Sequence, residues 1–538
     1  MTPIKPRDIL FKDEMRAKLS EGAKKIYDVV RITMGAKGRN VIFDQENDDP
    51  FILNDGVRCA REVLLADKWE RLSASLIRQA SEKTNRNAGD GTSLTIVLAY
   101  AILIEGLKNI KEGFNPMVLK NEIQEAAKEV VKLINEVAVP VKEADQIRDI
   151  ATVSSQSEEI GESISEIVKK VGRDMPITVE RGGPPGISNK IIDGMQFEKG
   201  YISPGFITDP TKMRFDRQEC LIAIIDKRLS TKEDVIPILR PLINQAKNGA
   251  IEFINLVIVA TDLESEAFAI LAQNHIKGLL EIQNLKIPIS ICCVNPMHYG
   301  QLKIDFMQDL ALTTGASCYS EEDALNLKNF KYEDFGSADR VLVDMFNTTI
   351  IGGNGNKEKV EKRIQEVAAL REQAEDENSE DIFDRRISML KGGVGMLLVS
   401  AKTKNEDDEL MLRVEDAVLA TKSAISEGVV TGGGKTLYNI SKSPIGAKNT
   451  TGVKVIADAL EYPIKQIIEN AGGTVEEEMS TIVMAGLDDG YNVLNGEIEN
   501  LKEKGIIDPA KVLREAIENA SSIASMLLTT ECALTYAE

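Results

Sequence analysis

The octet "NAGDGTSL" at 87–94 places an acid, Asp90, between two glycines just ahead of a long apolar stretch. Glycine lets backbone N–H groups approach an anion closely, and Thr92 and Ser93 add hydroxyl donors. A helix starting at this point would aim its positive dipole end at whatever binds. These features describe a phosphate seat. A carboxylate there repels phosphate unless a divalent cation lies between them, which makes Asp90 a candidate Mg²⁺ ligand for a bound nucleotide. Taken alone, the octet also reads as an Asp-Gly turn between two capped helices, so the rest of the chain must decide.

The flanking segments supply the elements that would hold this loop. "ERLSASLIRQASEKTNR" is helical in composition and "LTIVLAYAILIEGL" is apolar enough for a buried helix. Downstream, Asn115 is placed to cap a helix with Pro116 at its first position. Leu119, Ile123, Ala126, Val130 and Leu133 then recur at helical spacing. From about 194 to 352, β-rich runs such as "CLIAIIDKRL", "INLVIVATD" and "IPISICCVN" alternate with helical stretches, which reads as an α/β domain. A charged helical arm (357–391) follows, and helix-rich sequence resumes to the end. Helical ends around an α/β insert suggest that the two ends build one domain, with Gly194, Gly392 and Gly393 as candidate hinges near the crossings.

Composition narrows the function classes. The chain of 538 residues carries 65 Lys and Arg against 85 Asp and Glu, a net charge of −20 that argues against nucleic acid or an anionic membrane as the main partner. Cysteines at 59, 220, 292, 293, 318 and 532 form no CxxC pair, and with only two histidines a zinc site is not indicated. Reduced thiols, a start without a signal-peptide core and no charge-free membrane-length run lead us to expect a cytoplasmic protein.

Read as an ordered set, "TMGAKGRNV" (33–41), "NDG" (54–56), "AGDGTS" (88–93), "GMQFEKGYISPGF" (194–206), "RVEDAVLAT" (413–421), "EGVVTGGG" (427–434), "GIIDPAKV" (505–512) and "TTEC" (529–532) resemble the group I chaperonins, the bacterial and organellar 60-kDa ring chaperones. The resemblance covers about residues 8–534. It implies a multidomain α and α/β chaperonin fold: a helical equatorial ATPase domain from 1–136 and 427–538, a small intermediate hinge domain from 137–193 and 394–426, and an α/β apical client-binding domain at 194–393. It further implies ATP-driven capture and folding of unfolded protein clients inside a homo-oligomer of seven-membered rings. Thr33, Met34, Gly35, Asp90, Gly91, Thr92 and Ser93 would then contact the nucleotide and its phosphates, and Gly433, Asn492, Ile506 and Asp508 the base and ribose. Asp90 and Asp416 would hold Mg²⁺, with K⁺ as a further candidate ion. Asp416 would act on hydrolysis and Asp55 would position the attacking water. Clients would meet Tyr201, Phe206 and Phe268, and in "KEDVIPILRPLINQAK" the apolar residues 235, 236, 238, 239, 242, 243 and 246 cover a wider arc than one buried face requires, so Ile236 and Leu239 are expected to be exposed to clients as well.

The departures from the family pattern are specific. Asn54 stands where Lys is usual, Leu94 where a Thr hydroxyl is usual and Ala36 where Pro is usual. Gly205 replaces an aromatic, and Ala272 and Gln273 replace larger aliphatics, which leaves the use of a co-chaperonin open. Lys111, Glu112 and Thr474 alter positions used for ring stacking, so single or weakly stacked double rings are expected. Two readings of different class follow: an ATP-driven folding chaperone, or a ring-forming holding or assembly protein with little productive hydrolysis. A small-molecule kinase is a poor third, since no second substrate site is visible.

Overall fold

The computed structural model describes residues 7–44, 50–141, 144–171, 177–210, 212–282, 285–320, 327–372, 377–446 and 449–536. The outermost residues at either end, part of the readings of the chain's start and tail, lie outside them. The chain forms two compact units: Met1–Glu166, Arg181–Ile187 and Val399–Glu538 make the first, and Ile167–Glu180 with Ser188–Leu398 make the second.

The first unit is a helical body drawn from both ends of the chain. Helix Pro116–Val137 begins as its sequence dictates, with the Asn115 side chain accepting from Met117 N at 2.9 Å and Pro116 in the first turn; Leu119, Ile123, Ala126, Val130 and Ile134 form its buried stripe. Helix Lys68–Ala88 is likewise capped, by Asp67. Helix Thr92–Lys111 is long and apolar enough to cross a membrane by length and composition. Here it packs inside the unit, where Ile96, Leu98, Ala99 and Ile102 are wholly buried beside Ala516, Ile517, Ala520 and Ala524 of helix Ala510–Thr529. The strands Arg7–Phe11 and Cys532–Tyr536 pair antiparallel, Ile9 opposite Leu534.

The second unit is built on a sheet ordered Gly194–Phe197, Thr348–Gly353, Gly336–Val343, Phe215–Leu229, Ile254–Leu263, Leu285–Val294 and Leu279–Ile282, with Cys318–Ser320 added beside Phe215–Leu229. The three strands Phe215–Leu229, Ile254–Leu263 and Leu285–Val294 run parallel. Their continuous apolar runs, Ile222–Ile225 and Leu256–Ala260, are buried, as parallel strands covered on both faces require. The charged arm forms helices Lys357–Arg371 and Glu377–Lys391. Buried Asp309 anchors both, accepting from Arg363 Nε at 2.8 Å and Arg386 Nε at 2.9 Å. Gly194, Gly392 and Gly393 lie inside this unit. Gly393 N donates to Gly194 O at 2.9 Å, and a Cβ on Gly194 would meet Ile350 O at 2.5 Å. Close backbone packing accounts for Gly194 without a hinge.

Candidate functional site

The first unit gathers the acidic and glycine motifs into one cleft. Helix Lys68–Ala88 ends at Gly89 (φ 78°), whose N–H donates to Asn85 O at 2.7 Å. Helix Lys404–Glu427 crosses at this point: a Cβ on Gly89 would lie 2.0 Å from Leu419 Cβ, and Ser423 Oγ donates to Ala88 O at 2.8 Å. Asp416, Leu419 and Ser423 are spaced i, i+3, i+7 and share a helix face. The contact that seats Leu419 on Gly89 therefore brings Asp416 beside Asp90. Gly91 (φ 95°) then opens helix Thr92–Lys111, held close to Val512 and Thr84. At the first turn of that helix the buried Thr92 Oγ1 has no hydrogen-bond partner among the described residues, an unsatisfied polar atom at the positive end of a helix dipole.

Four carboxylates converge here. Asp55 caps helix Gly56–Glu62, its two oxygens accepting from Val57 N at 3.2 Å and Arg58 N at 2.9 Å. Asp90 reaches solvent, yet the protein crowded around it raises its carboxyl pKa; the Gly91 N–H, at 2.5 Å, opposes that shift and Asp55 adds to it. Burial lifts Asp416 well above the usual carboxylate range, with Asp55, Asp90 and Glu415 adding repulsion. Burial and then Asp90 push Asp508 up to about 7. Among the described residues no Lys or Arg offsets these three acids. Nor do the described residues contain a group of three or more His, Cys, Asp or Glu arranged to hold a metal alone. The donor set fits a cation that takes one or two carboxylates and draws its other ligands from phosphate and water, as Mg²⁺ does.

The remaining expected residues frame this cleft. Thr33 Oγ1 lies 3.4 Å from Ser93 Oγ, and a Cβ on Gly56 would fall 2.1 Å from the same Ser93 oxygen, so "TMG", "NDG" and "GDGTS" meet. Met34 and Gly35 (φ 84°) form the turn after Arg31–Thr33. The short pairing of Val429–Thr431 with Ile507–Pro509 sets Asp508 opposite Val430, and Gly432 N donates to Ile506 O at 2.9 Å. Gly433 faces Leu501 and Ile506. Asn492 arrives less directly: its amide is spent on Glu499 Oε1 at 2.5 Å and Leu494 N at 3.0 Å, within its own hairpin.

Sequence reasoning missed Asn470, which donates to both Arg31 O and Met34 O at 2.8 Å and fixes the "TMG" turn, and Leu419 and Ser423, which seat the Asp416 helix. A lone Asn in "IENAGG" carries no motif signal. Leu94, in place of a hydroxyl, packs against the helical core, while Asn54 is exposed.

Residues 26–535 match the model of the TCP-1/cpn60 chaperonin family. The chain belongs to that family. It is a divergent 60-kDa-type chaperonin, and thus an ATP-dependent chaperone. Among solved structures it is similar to the chaperonin gp146 from the bacteriophage EL 2 (Pseudomonas aeruginosa), determined in the presence of ATP-BeFx in two crystal forms. Form II gives a TM-score of 0.72 at 20% identity, covering 98% of this chain and 99% of that one. Form I gives 0.63 at 19% identity with the same coverage. At these identities the likeness establishes the fold.

The chaperonin's expected client residues lie in the second unit, and they divide. Ile236 is exposed (44%), as expected, but Leu239 is not (6%). Val235, Ile238, Leu239, Leu242 and Ala246 form one buried stripe of helix Lys232–Lys247. Leu239 falls inside that stripe, and the wide apolar arc is mostly core. Phe206 is also fully buried, edge-to-face with Phe268 at 5.8 Å. Tyr201 and Phe268 are partly buried against the same core.

Proposed function

We propose that this chaperonin binds Mg-ATP in the first-unit cleft and hydrolyses it to drive capture and release of unfolded proteins. The convergence of Asp55, Asp90, Asp416 and Asp508 around the Gly91 helix start, the last three with no Lys or Arg among the described residues to offset them, is the observation that carries this reading. Bound Mg-ATP would supply the scissile phosphate and the divalent charge that the acids call for. Asp90 would hold the cation. Thr92 Oγ1, Ser93 Oγ and the backbone N–H groups of the following turn would take phosphate oxygens. Asp55, locked by its own helix, and Asp416 would orient water and accept its proton. The similar phage chaperonin's structure in the presence of ATP-BeFx supports the same ligand class.

We further infer a three-domain working cycle with a hinge domain from 137–193 and 394–426, homo-oligomeric rings of seven subunits, single or weakly stacked, and a cytoplasmic setting. The buried free thiols of Cys59, Cys220, Cys292 and Cys293 suit a reducing compartment. The test is refolding of a chemically denatured enzyme by the purified protein with ATP, alone and with an added co-chaperonin, alongside phosphate release and electron-microscopic images of the particles. ATP-dependent recovery with ring-shaped particles is expected. Suppression of aggregation without phosphate release would favour a passive holding ring.

A further inference from the structure

The second unit contains an open recess of about 610 Å³ that none of the expected client residues line; its walls include Gly205, Arg217, Phe253, His275, Ile276 and Ser290. Its size suits a short stretch of ligand. Arg217 and His275 are the only ionisable side chains among its lining residues. His275 is structural: Nδ1 accepts from Ile291 N at 3.0 Å, which leaves the proton on Nε2, facing Ile207 O at 3.2 Å. A second ring proton would confront the Ile291 N–H, so the ring stays neutral and pins two walls together. Arg217 is then the one charge. It donates Nε to Ser290 Oγ at 3.0 Å and Nη1 to Asp216 O at 3.0 Å, and among the described residues Nη2 has no partner. These bonds hold the guanidinium in place and leave donors for an incoming carboxylate.

Around that cation the walls are mixed and open: Thr208, Asn255 and Ser290 are polar, while Phe253 and Ile276 offer apolar surface, 42% and 73% exposed. Gly205 leaves part of the space. A Cβ there would find nothing nearer than Ser203 Oγ at 3.4 Å, and its backbone lies outside the left-handed region, so the fold would accept a side chain. We propose that the recess binds an extended polypeptide segment in which a large apolar side chain adjoins a carboxylate, the apolar group packing on Ile276 and Phe253 and the carboxylate pairing with Arg217. A lone fixed cation beside two exposed apolar side chains, on a chain of net charge −20, is complementary to that pair of groups. The inference rests on the client-capture reading and deepens it, by giving clients a preferred local chemistry.

The test uses the full chain and dye-labelled, end-capped hexapeptides containing Phe-Glu, Phe-Gln or Gly-Glu, read by fluorescence anisotropy. The Phe-Glu peptide should bind about tenfold or more tighter than either control. Arg217→Gln should erase the preference for Glu over Gln, and Arg217→Lys should restore part of it. Gly205→Phe should fill the recess and abolish binding. Should that variant misfold, Ile276→Asp, at an exposed wall position, should lower Phe-Glu affinity by a similar factor. Equal binding of the three peptides, or a Glu preference that survives Arg217→Gln, overturns the proposal. Capture of a denatured protein is measured in parallel. Capture without peptide preference removes the recess and leaves the chaperone reading, whereas peptide preference without capture keeps the recess and removes client capture.

Discussion

The acidic cleft of the first unit and the residues expected to meet clients in the second were both marked in the sequence, yet the two regions came out differently. In the cleft, Asp55, Asp90, Asp416 and Asp508 lie together, and Thr33, Gly56 and Ser93 meet one another. On the client face, Phe206 and Leu239 belong to the core and Ile236 reaches solvent. A carboxylate or a positive-φ glycine is expensive away from its purpose, so its presence is informative. An apolar side chain is at home in a core, so the same residue type serves packing and client binding equally well. The contrast can be broken or sharpened by substitution.

The largest effect is expected at Leu239. Leu239→Ala should destabilise the second unit by about 2–5 kcal/mol, the range for emptying a buried leucine site, seen as a lower thermal or urea midpoint. A change under about 0.5 kcal/mol, the size typical of surface sites, would return Leu239 to the exposed surface.

Asp416→Ala comes next. Removing a preorganised charge from the cleft should slow steady-state phosphate release by roughly 100-fold, while Mg-ATP affinity, measured calorimetrically, changes little because Asp90 remains. Unchanged turnover would mean that Asp416 only packs its helix.

The third prediction concerns the cleft without its ligand. Asp508 has a pKa of about 7 in the folded chain, against about 3.9 in an unfolded one. The folded state therefore holds this proton more tightly. Its contribution to stability is complete below about pH 4 and is lost as pH rises through about 7. In EDTA and without nucleotide, Asp508→Asn should raise stability at pH 8 by up to about 4 kcal/mol and leave it nearly unchanged at pH 4. Mg-ATP should stabilise the wild type more than the variant. Equal melting curves at pH 8 would show that Asp508 is not strained by its neighbours.

What was legible in the sequence follows the same division. Helix Pro116–Val137 could be read from Asn115, Pro116 and a 3.6-residue stripe because local chemistry sets both its start and its buried face. The α/β character of the middle was visible in its alternating runs. The seating of Asp416 was not: it depends on Leu419 packing on Gly89 and Ser423 bonding Ala88 O, contacts between segments more than 300 residues apart. Asn470 was invisible for the same reason, since a backbone clamp on Arg31 and Met34 leaves no local pattern. Burial on helix Lys232–Lys247 was misjudged at Leu239 because its apolar arc is wide. Only the sheet beneath decides which part of the arc is covered.

The smallest effect on stability, and the sharpest separation from Leu239, is expected at Ile236. It sits three residues earlier on the same helix, outside the buried stripe, and keeps 44% of its surface in water. Ile236→Ser should therefore shift the unfolding midpoint by less than about 0.5 kcal/mol. If a client covers this side chain, the loss should appear in binding instead, at about 1 kcal/mol, or roughly fivefold weaker capture of a denatured protein. Phosphate release without client should be unaffected, because Ile236 belongs to the second unit and every cleft acid to the first. The two positions thus separate stability from capture: Leu239→Ala loses fold, Ile236→Ser loses clients. If Ile236→Ser leaves both unchanged, its exposure has no part in client binding, and the exposed walls Phe253 and Ile276 become the apolar surface to test next.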